Sequence, residues 1–210
     1  MTLKIKIDKT GNCTKKAAIL IPGVSGNSFS SRWDGLVKSC NENSIALLRI
    51  DSWNGEDELS DKTIKEIHHE LDFAVERLRK ENFEDIYLIG KSFGGAVSLI
   101  YFNEFISKKV LWAPVIGFND VENCTYYLDK KMSTIENLTD IIVSKNYIKS
   151  QDNVIRIIHG TSDDVISVDN SLKISENCKN VELVKIDSAD HSFRDEKHNR
   201  ELIEKTLNFF

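Results

Sequence analysis

Apolar residues follow two different patterns along this chain of 210 residues. Short continuous apolar runs are typical of strands buried on both faces, whereas apolar residues that recur every three or four positions indicate amphipathic helices. In the longest helical stretch, one face carries Ile64, Ile67, Leu71, Ala74, Val75 and Leu78. The patterns predict strands at 1–8, 17–21, 45–50, 85–89, 109–113, 154–158 and 181–186, and helices at 33–42, 61–80, 93–105, 168–177 and 195–209.

This alternation of strands and helices predicts the α/β class, with a doubly wound, mostly parallel sheet and helices on both of its faces. The length suits one domain with a substantial core, so we expect residues 1–210 to form a single domain with an insertion at about 117–153. In such sheets the ligand crevice lies beyond the carboxyl ends of the strands. Residues directly after the strands are therefore the first candidates for chemistry.

The pentapeptide GKSFG at residues 90–94 lies between the strand at 85–89 and the next helix. A G-x-S-x-G sequence in this position is typical of a nucleophile elbow, where the serine stands on a sharp turn and its neighbours must be small. The segment also ends like a phosphate-binding loop, but that motif requires a glycine where this chain has Asp85. Ser92 is the candidate nucleophile.

Two further segments follow the elbow in the chain order nucleophile, acid, histidine. HGTSDD begins at His159, after the strand at 154–158, and SADHSF begins at Ser188, after the strand at 181–186. Loops at the ends of parallel strands meet at one edge of the sheet, so these segments can converge on Ser92 although they are distant in sequence.

With these segments the chain resembles α/β-hydrolase-fold serine hydrolases, and it is similar to small bacterial esterases, monoglyceride-lipase-like proteins and feruloyl-esterase-like proteins over about residues 17–209. In that family an H-G-x-x-D-x-x-V segment carries the acid of the catalytic triad, which implies Asp163, with Asp164 as the alternative. A G-x-x-H-x-F-like segment carries the histidine, which implies His191, although serine replaces the first glycine. The resemblance implies a triad with Ser92 and no cofactor or metal.

The same resemblance implies an oxyanion hole made of two backbone N–H groups. One belongs to Phe93, directly after the nucleophile, and the other to Val24, in the loop after the strand at 17–21. The family's usual histidine in this loop is replaced by Pro22, which can brace the loop by fixing φ. Trp53 follows the strand at 45–50 at the same end of the sheet and is the candidate for a contact with substrate.

The insertion at 117–153 is where members of that family carry a lid. Here it is short and contains apolar residues, which predicts one or two small helices that partly cover Ser92. A short lid of this kind indicates a small or open acyl site. The alternative is that these residues only close the edge of the sheet.

Composition narrows the classes of partner. The formal net charge is −5 and the charged residues are interspersed, which gives no support for nucleic-acid binding. No segment has the length of a membrane span, and residues 1–8 are too charged for a signal peptide, so we expect a cytoplasmic protein without membrane insertion. The four cysteines, at positions 13, 40, 124 and 178, lack metal spacing and are expected to be reduced. Nothing in the sequence specifies the oligomeric state.

The predicted function is hydrolysis of a small-molecule carboxylic ester through an acyl-enzyme on the Ser-His-Asp triad. Thioesterase, acyltransferase and peptidase chemistry pass through the same intermediate and stay open, as does a non-catalytic binding module on this fold. Among the other histidines, His68 and His69 are expected at solvent-facing or boundary positions, His198 at the start of the last helix, and His159 in a local hydrogen bond.

Overall fold

The structure is a computed structural model that describes residues 3–118, 126–127, 148, 150–151 and 153–210. Its strands are β1 (Lys4–Asp8), β2 (Lys16–Ile21), β3 (Ile45–Asp51), β4 (Asp85–Lys91), β5 (Ile106–Trp112), β6 (Gly117–Phe118), β7 (Tyr126–Tyr127), β8 (Val154–Gly160) and β9 (Val181–Ile186). Its longer helices are α1 (Asp34–Glu42), α2 (Glu56–Ser60), α3 (Ile64–Lys80), α4 (Phe93–Ile100), α5 (Val168–Asn177) and α6 (Glu196–Leu207), and a 3-10 turn at Ser31–Trp33 precedes α1.

Seven strands form one sheet in the order β1-β3-β2-β4-β5-β8-β9. The edge strand β1 is antiparallel to β3, and all other neighbours are parallel. The predicted α/β class with a mostly parallel sheet is therefore confirmed. The chain runs from β2 to β3 on one side and then crosses to β4 on the other, so β2 and β4 flank the point where the strand order reverses. Ligands of parallel sheets bind at such points.

Both faces of the sheet are covered by helices, as predicted. Alternate residues of β2 face opposite ways: Ala17 and Ile19 pack in one core with α3 and α4, whereas Ala18 and Leu20 pack in a second core with α1 and α6. A third core, around Ile157 of β8, holds α5 against the sheet. These continuous apolar strands form a rigid base that positions the loops at their carboxyl ends.

Two helices differ from the prediction because local contacts end or start them. The helix predicted at 61–80 begins at Ile64, since Thr63 starts α3 with a capping box in which its side chain and that of Glu66 satisfy each other's backbone N–H groups. The short helix α2, before residue 61, was not predicted. The helix predicted at 93–105 ends at Ile100. Tyr101 is extended, and its hydroxyl donates to the carboxylate of Asp72 at 2.7 Å.

The predicted lid at 117–153 falls for the most part outside the described residues. Within that range the structure describes the short antiparallel pair β6 and β7 and a few residues before β8. The lid and the extent of the single domain stay predictions. No helix in the described ranges is long and apolar enough to cross a membrane.

Candidate active site

Ser92 occupies a strained turn between β4 and α4. Its φ of 54° and ψ of −116° lie in a region that L-residues rarely adopt, which costs on the order of 1–3 kcal/mol. The turn is held because the Ser92 N–H donates to the carbonyl oxygen of Trp112 at 2.9 Å. A Cβ at Gly90 would lie 2.4 Å from the carbonyl oxygen of Gly94, and one at Gly94 would lie 2.4 Å from that of Ile21. The close packing around the elbow therefore explains the small residues beside Ser92.

The structure brings Ser92, His191 and Asp163 into one hydrogen-bonded row. The Nε2 atom of His191 lies 3.1 Å from Ser92 Oγ, and its Nδ1 atom lies 2.8 Å from Asp163 Oδ2. The His191 side chain is 13% exposed and that of Asp163 is fully buried. Because the carboxylate oxygen of Asp163 can only accept, Nδ1 carries the proton when the His191 imidazole is neutral. Its Nε2 atom is then free to accept the Ser92 proton.

Asp163 is held as a carboxylate by four donors. Its Oδ1 atom accepts from the backbone N–H groups of Val165 at 2.9 Å and Ile166 at 2.8 Å, and its Oδ2 atom faces both His191 and His159. Burial alone would raise the pKa of Asp163, but hydrogen bonds from His159, His191 and the Ile166 N–H outweigh it and hold the pKa well below its usual range. Asp164, the alternative acid, is exposed and makes no such contact with His191.

His159 makes the local hydrogen bonds expected of it, and one of them reaches Asp163. Its ring is fully buried, with Nε2 3.0 Å from Asp163 Oδ2 and 3.1 Å from the carbonyl oxygen of Ile166. Both partners are acceptors, so Nε2 carries the proton and Nδ1 accepts from the Ser171 hydroxyl at 2.7 Å. The spacing of the HGTSD segment, with histidine four residues before the acid, was the available signal for this contact.

The loop after β2 lies against the elbow where the second oxyanion donor is expected. A Cβ at Gly23 would lie 3.3 Å from Ser92 Cβ, so the backbone of this loop passes directly beside the serine. The N–H groups of Val24 and Phe93 have no hydrogen-bond acceptor among the described residues. Two donors without partners beside Ser92 are what an oxyanion hole requires.

Trp53 does not occupy the position predicted for it. Its side chain is fully buried, packs edge-on against Phe93 with ring centroids 5.5 Å apart, and does not line the cavity at Ser92. Its indole N–H donates to the carbonyl oxygen of Gly23 at 3.0 Å. The prediction of a contact with substrate is corrected: an apolar ring in this loop is buried more favourably in the core, and from there it braces the loop that carries Val24.

Ser92 and His191 open into a cavity of about 190 Å³. The cavity extends along the loop after β2 and reaches the 3-10 turn before α1. The described residues that line it are Gly23, Val24, Ser25, Gly26, Arg32, Trp33, Lys91, Ser92, His191 and Ser192. Lys91, which precedes the candidate nucleophile, donates from Nζ to the carbonyl oxygen of His191 at 2.6 Å and so joins the elbow to the histidine loop.

A larger groove of about 500 Å³ opens beside α2 and α3. Its lining includes several carboxylates, but those of Glu58, Glu66 and Glu70 already bind groups of the protein: the Asn54 N–H, the N-terminus of α3 and Lys62 respectively. No serine or cysteine is among its described lining residues. The smaller cavity at Ser92 is therefore the candidate active site.

The fold and this arrangement define the chain as an α/β-hydrolase-fold protein. It is similar to Est1E from Butyrivibrio proteoclasticus, with a TM-score of 0.77 and 20% identity over 99% of this chain and 92% of that one. It is also similar to a monoacylglycerol lipase from Paleococcus ferrophilus, with a TM-score of 0.71 and 16% identity over 100% of this chain and 98% of that one. Its similarity to the esterase Est2 from Thermogutta terrifontis has a TM-score of 0.75 and 16% identity over 100% of this chain and 89% of that one.

The sequence itself matches the profile of the Uncharacterised protein family (UPF0227) over residues 42–209, and the chain belongs to that family. Ser92, Asp163 and His191 all fall within the matched range, whereas Val24 precedes it. No curated protein sequence gave a match.

Proposed function

We propose that this protein is a serine hydrolase that cleaves small carboxylic esters through an acyl-enzyme. The observation that carries the proposal is the row of hydrogen bonds from Ser92 Oγ through His191 to Asp163. An unassisted serine hydroxyl is a poor nucleophile at neutral pH, and a base within 3.1 Å removes that limitation. The esterases of the same fold support the class of substrate.

In the acylation step, Ser92 Oγ attacks the ester carbonyl carbon while His191 Nε2 takes the hydroxyl proton. The Asp163 carboxylate stabilises the imidazolium that forms, and the N–H groups of Phe93 and Val24 donate to the oxyanion. Collapse of the tetrahedral intermediate breaks the bond to the alcohol oxygen, which receives the proton from His191. The acyl group is then bound to Ser92.

In the deacylation step, water attacks the acyl-enzyme and gives its proton to His191. The second tetrahedral intermediate collapses to the carboxylic acid, and Ser92 recovers its proton. The described cavity volume of about 190 Å³ is below the roughly 300 Å³ at which pockets for drug-sized ligands begin, which favours small acyl and alcohol groups.

The test is hydrolysis of p-nitrophenyl acetate together with labelling by a fluorophosphonate and mass mapping of the adduct. We expect the adduct on Ser92, and the loss of both labelling and turnover in Ser92→Ala. Ser162→Ala, which changes an exposed serine in the loop of Asp163, is the matched control and should keep both. The proposal would be overturned by substantial turnover in purified Ser92→Ala. It would also be overturned if the folded wild type neither reacted with the fluorophosphonate nor hydrolysed any ester.

A further inference from the structure

Among the residues that the structure describes, the charged side chains that line the cavity at Ser92 have one sign. Apart from the candidate base His191, its ionisable lining residues are Arg32 and Lys91, and no carboxylate lines it within the part of the chain that the structure describes. Asp163 lies behind His191 with its side chain fully buried. A cavity whose walls hold cations and no anions attracts a negatively charged ligand.

Arg32 has a charge that no carboxylate of the described ranges pairs. Five of the seven arginines lie within 4 Å of a carboxylate: Arg49, Arg77, Arg156, Arg194 and Arg200. The guanidinium of Arg32 instead stacks over the ring of Trp33, 4.6 Å from its centroid, and has no hydrogen-bonding or ionic partner among the described residues. A contact with the face of a ring leaves the N–H groups of a guanidinium available for a planar anion.

Lys91 adds a second cationic donor beside the nucleophile. Its side chain is buried, and within the described residues its Nζ atom has a single acceptor, the carbonyl oxygen of His191. An ammonium group has three N–H donors, so capacity remains for a ligand. Burial lowers the pKa of Lys91 to about 7, because it outweighs the nearby carboxylates of Asp163 and Asp190, and the charge of Arg32 acts in the same direction as burial. An anion in the cavity would favour the charged form of Lys91 near neutral pH.

We propose that the substrate is a small ester whose acyl or alcohol part carries a carboxylate, and that Arg32 and Lys91 bind this carboxylate while Ser92 attacks the ester carbonyl. The inference rests on the proposed function and narrows its substrate class. The carboxylate takes no part in bond making: water still divides the ester into an acid and an alcohol, and the charged group leaves with one of them.

The experiment compares two charged esters with neutral counterparts, one of the same shape and one that lacks the carboxylate group. On the acyl side, monomethyl succinate is matched with the methyl ester of isocaproic acid, in which an isopropyl group replaces the carboxylate. On the alcohol side, para-acetoxybenzoate is matched with phenyl acetate. The ratio of kcat/KM for the charged ester to that for the neutral ester is measured for wild type, Arg32→Gln, Arg32→Lys and Arg200→Gln.

For at least one pair we expect the wild-type ratio to exceed one and to fall about tenfold or more in Arg32→Gln, since the charge-assisted hydrogen bonds to the carboxylate are then lost. Arg32→Lys should keep part of the preference. Arg200→Gln removes a charge of the same sign from the exposed face of α6 and should keep the whole preference for the charged ester. This control separates a direct contact between Arg32 and the carboxylate from an effect of the net charge of the protein.

The two proposals fail differently. If wild type hydrolyses the neutral esters through Ser92 but prefers them, or if Arg32→Gln leaves both ratios unchanged, the inference is overturned and the serine hydrolase stands. If wild type hydrolyses none of the four esters and Ser92 does not react with the fluorophosphonate, the proposed function is overturned and the inference with it.

Discussion

The Nε2 atom of His159 lies 3.0 Å from Asp163 Oδ2, the same oxygen that faces His191 at 2.8 Å. A buried imidazole thus holds the carboxylate that orients the candidate base. Because Oδ1 is occupied by two backbone N–H groups, His159 completes a set of donors that prevents the carboxylate from rotating. We infer that His159 is a positioning residue that acts through Asp163.

Replacement of His159 by phenylalanine should lower kcat for a good ester by about 10- to 100-fold, because a hydrogen bond to a charged group contributes roughly 1.5–3 kcal/mol. His159→Gln, which can still donate an N–H, should retain more activity. Ser171→Ala removes only the partner of Nδ1 and is the control. Steady-state kinetics on folded variants measure these changes in kcat. Equal losses of kcat in His159→Phe and His159→Gln would contradict the positioning role of His159.

Asp163→Asn should lower kcat/KM by about 10³-fold or more, since the amide no longer enforces the required tautomer of His191 or stabilises the imidazolium. Asp164→Asn should stay within about threefold of wild type, because this side chain is exposed and makes no contact with His191. The two variants are matched in charge and adjacent in sequence. A larger loss in Asp164→Asn would transfer the role of the acid to that residue.

Trp53→Phe should lower kcat about tenfold with little change in KM, because the indole N–H that fixes Gly23 is lost and the oxyanion loop is less well ordered. Trp112→Phe is the matched control. It removes an indole N–H that donates to Thr206 on α6 at 2.8 Å, so it should lower the melting temperature with a smaller effect on kcat. A change in KM alone for Trp53→Phe would favour a contact with substrate after all.

Ser92→Gly should be more stable than Ser92→Ala by about 1 kcal/mol or more. Glycine adopts a positive φ without the steric cost that a Cβ imposes, so it relieves the strain of the elbow. Urea unfolding of the two inactive variants measures the difference directly. Equal free energies of unfolding, or a less stable Ser92→Gly, would contradict the prediction.

Lys109 gives the stability a predictable dependence on pH. Its side chain is fully buried, and burial lowers its pKa to about 7, whereas the pKa of a lysine in an unfolded chain is about 10.4. Between these values the unfolded chain binds a proton that the folded chain has released, so the contribution of Lys109 to the free energy of unfolding rises with pH.

The difference in free energy of unfolding between wild type and Lys109→Met should therefore shift in favour of wild type from about pH 7 to about pH 10. Urea unfolding at several pH values measures it. Lys38→Met, at an exposed position on α1, controls for the removal of one charge. A difference that does not vary with pH would contradict the assignment.

Much of the fold could be predicted from local pattern, because burial on both faces of a parallel sheet requires apolar residues at every position of a strand. The six parallel strands begin and end within three residues of their predicted limits. Helix ends were less predictable. The start at Ile64 and the end at Ile100 depend on a capping box and on a hydrogen bond between Tyr101 and Asp72, which an apolar pattern does not encode.

The sequence by itself determined the α/β class, the elbow at Ser92 and the segments that bring Asp163 and His191 to it, since these follow from short motifs at the ends of strands. Only the tertiary structure decided which way the side chains of the loops point. Trp53 is drawn into the core, His159 reaches Asp163, and Arg32 reaches the cavity. The directions of these side chains depend on packing between segments that are far apart in the chain, and a local sequence pattern does not specify that packing.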